Sequence, residues 1–195
     1  MRIILASGSP RRKQLLEQIG LKHEVIVSDV DETIEGAPDE QVMKLSKRKA
    51  NAVCDMIKGS AIVIAADTLV YINNKVLGKP TCKEDAYNML NMLQGNMHTV
   101  YTGVTVIKME NSTSMNRTFV ASANVYFRNL SHDEIIAYIV TGESYDNAGA
   151  YGVQDKEALL VDKINGDYFT VVGLPVSQLG VVLRELGVEV WVNYD

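Results

Sequence analysis

The sequence predicts a mixed α/β fold, shading into α+β, in which helices pack on a central mixed sheet. Three observations carry that expectation. Short apolar strands alternate with amphipathic helical stretches early in the chain. Hairpin signals then appear at Asn73-Asn74 and Asn165-Gly166. The composition, 47% apolar and 22% charged, suits a chain able to bury the core such a sheet requires.

Residues 2–6 (RIILA) read as a short buried strand. Ser9 caps the helix that follows, Pro10 fits its first turn and Gly20 ends it. A second strand near 24–28 leads into the acidic stretch 29–32. Pro38 and Asp39 open a long helix to about Lys58, with Val42, Leu45, Lys49, Val53 and Met56 on one face. The run 61–66 reads as a buried strand ending at Asp67. Residues 69–72 and 75–77 flank the Asn73-Asn74 turn. Thr81 with Glu84 predicts a capping box for a helix ending at Gly95, and Ser131 with Glu134 another for a helix to about Val140. Strands fall between them near 99–108 and 117–128. Asn165-Gly166 predicts a hairpin turn between ALLVDKI and DYFTVVG. Pro175 starts the last helix, Gly187 stops it, and VEVWV (188–192) reads as a closing strand or an interface. The latter leaves a homodimer open. No repeat or linker interrupts the pattern, so residues 1–195 are expected to form a single domain.

The formal net charge is -5 and the pI about 5.3, which argues against a general nucleic-acid binder. An anionic ligand must then be held by a local basic cluster. Cys54 and Cys82 make neither a paired framework nor a metal motif, which fits reduced thiols. The apolar N-terminal run is too short for a signal peptide, and the longest run elsewhere, 61–66, is far below a membrane span. A cytoplasmic protein with no membrane partner is the expectation.

Five features bear on chemistry. The first is the strand–SGSPRR–helix element. A helix N-terminus offers free N–H groups and a positive dipole end to an anion, and Ser7, Gly8 and Ser9 allow close approach. Arg11 and Arg12 add forked donors suited to phosphate, although cations in a first turn do not favour the helix itself. A capped surface helix with two solvated arginines is an equal reading. Second, Lys49 falls on the apolar face of its helix, where it either snorkels or reaches an anionic partner. Third, Asp67-Thr68 follows the apolar strand, at the kind of strand end where ligands gather in α/β sheets. Asp67 would serve catalysis by orienting water or holding a metal; alone it reads as a turn cap. The acidic stretch with Asp29, Asp31 and Glu32 could add a second oxygen ligand, or simply be solvated. The three histidines lack zinc spacing, so any metal here is a hard, oxygen-bound divalent cation, Mg²⁺ or Mn²⁺. Fourth, Gly78-Lys79-Pro80 places one lysine on a constrained loop. Fifth, Tyr145–Gln154 is a loop of small residues whose Gln154 amide can donate to and accept from a base edge.

Together, LASGSPRRKQLL, AADTLV, LGKP, YDNAGAYGVQ and DYFTVVGLP resemble signature segments of the Maf (septum-formation-like) family of nucleotide pyrophosphatases. They occur in the family's order over nearly the whole chain. AGAYGVQ resembles the branch acting on dTTP and UTP rather than that for 7-methyl-GTP. The resemblance implies a Maf/ITPase-like mixed α/β fold with a cleft, a divalent cation, and cleavage between the α and β phosphates. It makes Asp67 the catalytic acid/base. It ties Arg11, Thr68 and Gln154 to substrate choice, sets Ser7, Arg12, Lys49 and Lys79 toward phosphate, and gives Glu32 with Asp67 to the metal. One position departs: the family more often has Lys where this chain has Asn147.

The expected activity is metal-assisted hydrolysis of dTTP, UTP and related or modified pyrimidine triphosphates to monophosphate and pyrophosphate. The alternatives are a nucleotide-binding regulator of septum formation with little turnover, and a pyrophosphatase for modified purine nucleotides. The AGAYG segment and Gln154 weigh against the second.

Overall fold

The computed structural model describes residues 1–110 and 113–191. The strands are β1 (Arg2–Leu5), β2 (Glu24–Val25), β3 (Ala61–Ile72), β4 (Lys75–Leu77), β5 (Met97–Glu110), β6 (Thr113–Phe127) and β7 (Val161–Gly166). The helices are α1 (Pro10–Gln18), α2 (Pro38–Met56), α3 (Lys83–Leu93), α4 (His132–Val140), α5 (Tyr168–Val172) and α6 (Val176–Glu185). Among the described residues the sheet order is β2-β1-β3-β5-β6-β7, with β4 paired to β3 off that path. The sheet is mixed, as predicted: β1 runs parallel to β2 and β3, whereas β4 and β7 pair antiparallel with β3 and β6.

The chain divides into two compact units, the first formed by 1–67, 102–121 and 173–195, the second by 68–101 and 122–172. In the first unit, every residue of the run 61–66 is no more than 1% exposed, because a parallel strand covered on both faces has no solvent side. Ala50 and Val53 of α2 pack on Ile4, Ala6, Ala61, Val63, Ala65 and Ile107. Burying each of the larger aliphatic side chains contributes about 1.5–3 kcal/mol. α2 also approaches β5 backbone to side-chain-free backbone at Gly103, where a Cβ would meet the Val42 carbonyl at 2.5 Å. A hydroxyl chain runs from that contact to the surface: buried Ser46 Oγ lies 3.0 Å from buried Thr105 Oγ1, which lies 3.0 Å from the exposed Thr118 Oγ1.

In the second unit, His98, Phe127 and Tyr151 form an edge-to-face cluster with centroids 4.6–5.3 Å apart. The His98 Nε2 is 2.5 Å from the Tyr151 hydroxyl. Both Asn73 (φ 49) and Asn74 (φ 59) take the left-handed conformation required by a two-residue hairpin turn, as predicted.

Several expectations require correction. β3 does not stop at Asp67 but continues to Ile72, because Leu69, Val70 and Ile72 find buried positions beyond it. The second strand is only two residues long. Met56, expected on the buried face of α2, is 61% exposed at the helix end, and the buried stripe is instead Val42, Leu45, Ser46, Ala50 and Val53. The Thr81/Glu84 capping box does not form; Asp85 takes both the Thr81 amide (2.9 Å) and its hydroxyl (3.2 Å), and the helix begins later. Ser131 and Glu134 do form theirs. No hairpin joins ALLVDKI to DYFTVVG. The Asp167 carboxylate instead receives the amides of Phe169 (3.3 Å) and Thr170 (2.8 Å), which caps α5 and turns that segment helical. Residues 188–191 form no strand, and Val192 lies outside the described residues.

Two predictions follow from this packing. Gly103→Ala is expected to destabilise the protein by about 3 kcal/mol in urea unfolding, since neither backbone can yield. The His98 imidazole is 1% exposed, and burial pushes its pKa from 6.5 down to about 4. Below 6.5 the unfolded chain binds a proton that the folded chain refuses, so stability falls between pH 6.5 and about 4. His98→Gln should flatten that part of the stability–pH curve by about 3 kcal/mol, read by denaturant titration at each pH.

Candidate active site

Unit one gathers most of the charged residues singled out above. The α1 N-terminus is built as expected: Ser9 is the N-cap, its hydroxyl accepting from the Arg12 amide at 3.5 Å, and Pro10 fills the first turn. The two arginines differ. Arg12 folds back, its Nε donating to the Gly173 carbonyl (2.9 Å) and a terminal nitrogen to Ser7 Oγ (3.0 Å). Ser7 Oγ also accepts from the Ser9 amide at 3.2 Å and is 8% exposed. Ser7 and Arg12 therefore brace the loop and tie it to the segment before α6. Burial draws the Arg12 guanidinium below the usual arginine range, with Asp67 as the largest opposing influence and smaller effects from Arg11 and Glu32.

Lys49 joins the carboxylates. Its Nζ lies 2.8 Å from Asp67 Oδ1 and 2.8 Å from Glu32 Oε1. The Lys49 and Asp67 side chains are 15% and 16% exposed, while Glu32 is 65% exposed. The edge position of Lys49 on α2 thus resolves toward an anionic partner rather than open solvent. The acidic stretch docks through consecutive pairs, since Arg48 donates to the Asp31 carbonyl as Lys49 does to Glu32. Asp67 stands in the interior of β3, but it still lies past the end of its parallel neighbour. The last β1–β3 pair is Leu5–Ile64, followed by a bond from the Ala6 amide to the Ile64 carbonyl (2.8 Å).

Among the described residues no group of three or more His, Cys, Asp or Glu side chains forms a metal cage. Lys49 holds one oxygen of each of two carboxylates, and the other oxygen of each is a donor suited to a hard cation. Such an ion binds through one or two carboxylates and takes the rest of its shell from water and substrate phosphate. The residues that would hold it are Asp67 and Glu32.

The second unit carries the remaining three. Thr68 is half-buried on β3, and in a strand its side chain leaves the face opposite to Asp67. Lys79 is exposed beside Gly78, whose carbonyl accepts from the Gly149 amide at 2.9 Å. That bond brings the Lys79 loop to the loop ending at Gln154. Asn147 is 4% exposed and donates to the Glu143 carbonyl (2.9 Å) and to Glu157 Oε1 (3.0 Å). Glu157, 6% exposed, also accepts from the Tyr138 hydroxyl at 2.8 Å. Burial, then the Glu157 charge, raises the Tyr138 phenol and keeps it a donor. Sequence reasoning missed Tyr138 and Glu157, which sit in an unremarkable helix and a polar turn.

A family model described as Maf-like protein matches residues 2–186. A dTTP/UTP pyrophosphatase of Thermoanaerobacter sp. (strain X514) is 49% identical over 94% of this chain and 96% of that one. One from Caldanaerobacter subterraneus subsp. tengcongensis is 46% identical over 99% and 93%. The solved structure of the Staphylococcus aureus Ham1 protein aligns with 95% of this chain and 100% of that chain, at 15% identity and a TM-score of 0.48, a likeness too slight to argue from.

The bracing role of Arg12 predicts that charge alone does not suffice there. Arg12→Lys should lower unfolding free energy by about 1–3 kcal/mol, because an ammonium cannot span the Gly173 carbonyl and the Ser7 hydroxyl together. An unchanged urea midpoint would remove that role.

Proposed function

This chain belongs to the Maf family, and on that premise we propose that it hydrolyses dTTP, UTP and related or modified pyrimidine triphosphates to the monophosphate and pyrophosphate. The 44–49% identity to relatives carrying the dTTP/UTP pyrophosphatase name supports the reaction class. The observation on which the mechanism rests is the Lys49 ammonium at 2.8 Å from both Asp67 and Glu32. It fixes a carboxylate where a parallel strand ends and places a cation beside it.

In this reading Asp67 is the catalytic residue. Lys49 holds Oδ1, and the second oxygen of the carboxylate orients the attacking water and takes its proton as water adds to the α-phosphorus. The α–β bridging bond breaks, and its oxygen leaves with pyrophosphate. Lys49, Arg11, Arg12 and Lys79 neutralise the charge that grows on this leaving group, with Ser7 fixing the loop that faces phosphate. Asp67 and Glu32 would hold a divalent cation, Mg²⁺ or Mn²⁺, which would supply Lewis-acid polarisation of the phosphates. Thr68 and Gln154 read the pyrimidine edge, where uracil and thymine present N3–H beside carbonyls. A single Maf-like domain of the cytoplasm is the setting we assign. Among the described residues no helix is long and apolar enough to cross a membrane. A binding-only regulator of septum formation would need no carboxylate held in this way.

Asp67→Asn should retain the fold and lose turnover by at least about 100-fold, the scale of a lost general base. Near-wild-type turnover would remove Asp67 from its role. Chelation of divalent cations should abolish activity, and Mg²⁺ or Mn²⁺ should restore it. In ¹⁸O-water the label is expected in the monophosphate; orthophosphate as product would sink the assigned cleavage.

A further inference from the structure

We infer that Glu157 is a positioning residue for substrate selection, locking the loop 147–154 that presents Gln154. A carboxylate only 6% exposed is costly unless its oxygens are occupied. Oε1 receives the Tyr138 hydroxyl at 2.8 Å and the Asn147 amide at 3.0 Å. Oε2 lies directly on the loop backbone at Gly152, where a Cβ would come within 1.7 Å of it. Gly152 is therefore a seat for this carboxylate. The backbone amide of Glu157 donates to the Gln154 carbonyl at 3.1 Å, so one residue grips the loop through both side chain and main chain.

The loop needs such a grip. Ala150 (φ 65) and Asp155 (φ 49) both take the left-handed conformation with a Cβ present. Each is strained and persists only where its surroundings fix it. A second anchor lies at Gly149, whose amide bonds the Gly78 carbonyl and whose absent Cβ leaves room for Val70. The Gln154 side chain makes no capping bond to the turn that follows. Position 147 faces Glu157 and the Glu143 carbonyl, so a lysine there would meet Glu157 rather than a phosphate.

This inference rests on the reading of Gln154 as the residue that recognises the base of dTTP and UTP. The test is a double-mutant cycle, in which the Gln154→Ala single variant is the control on that reading: its KM for dTTP and UTP should rise, and an unchanged KM there sinks the Gln154 reading itself. Glu157→Ala should raise KM for dTTP about tenfold and change kcat much less, the signature of lost uniform binding. Glu157→Gln keeps the acceptor and should stay within about threefold of wild type. In a Gln154→Ala background, Glu157→Ala should add less than about twofold, because it acts through a side chain already gone. Equal effects in the two backgrounds, or a lowered Tm with unchanged KM, would overturn the inference. If Glu157→Ala does not fold, Tyr138→Phe in the same cycle decides it, with a rise of about threefold expected only when Gln154 is present.

Discussion

One ammonium shared by two carboxylates organises the charged half of this molecule. Lys49 reaches Asp67 and Glu32 because the next residue, Ala50, is buried against β1 and β3, which fixes where the helix can place its neighbours. The acidic segment then folds onto α2 through Asp31 and Glu32. Stability does not require this. An ion pair taken largely out of water regains little more than its desolvation, and an aliphatic pair of similar volume would hold the helix as well. The charges serve the phosphate chemistry proposed for this site, and the apolar packing around them carries the fold.

The second unit follows the same division in different chemistry. A buried carboxylate sits beneath the loop 147–154, which holds the left-handed Ala150 and is followed by the left-handed Asp155. Tyr138, Asn147 and Gly152 each give up something to accommodate it: a hydroxyl, an amide and a side chain. Such expense is ordinary in a core only where a particular backbone shape has to be maintained.

What could be read in advance was what depends on near neighbours. Ser9, Pro10 and Gly20 delimit α1 through local capping chemistry, and Ser131 with Glu134 does so for α4. The resemblance already paired Asp67 with Glu32, but the Lys49 bridge between them was not legible, since sequence spacing says nothing of which distant loop covers a helix. β3 was cut short because a charged residue interrupts its apolar run, although strand pairing continues past it. The β-branched and aromatic residues of DYFTVVG suggest a strand, and Asp167 overrides them with two amide bonds. Glu157 carried no signal at all. Its role exists only in three dimensions, where Gly152 lacks the atom that would collide with it.

Asp67 and Thr68 are consecutive residues of an unbroken strand, and their side chains depart from opposite faces. With hydrolysis assigned to one and base recognition to the other, a single backbone serves both tasks without either side chain touching the other's work. On the proposed roles, a substitution at position 68 changes which base is read without moving the Asp67 carboxylate, so specificity and hydrolysis can be varied separately.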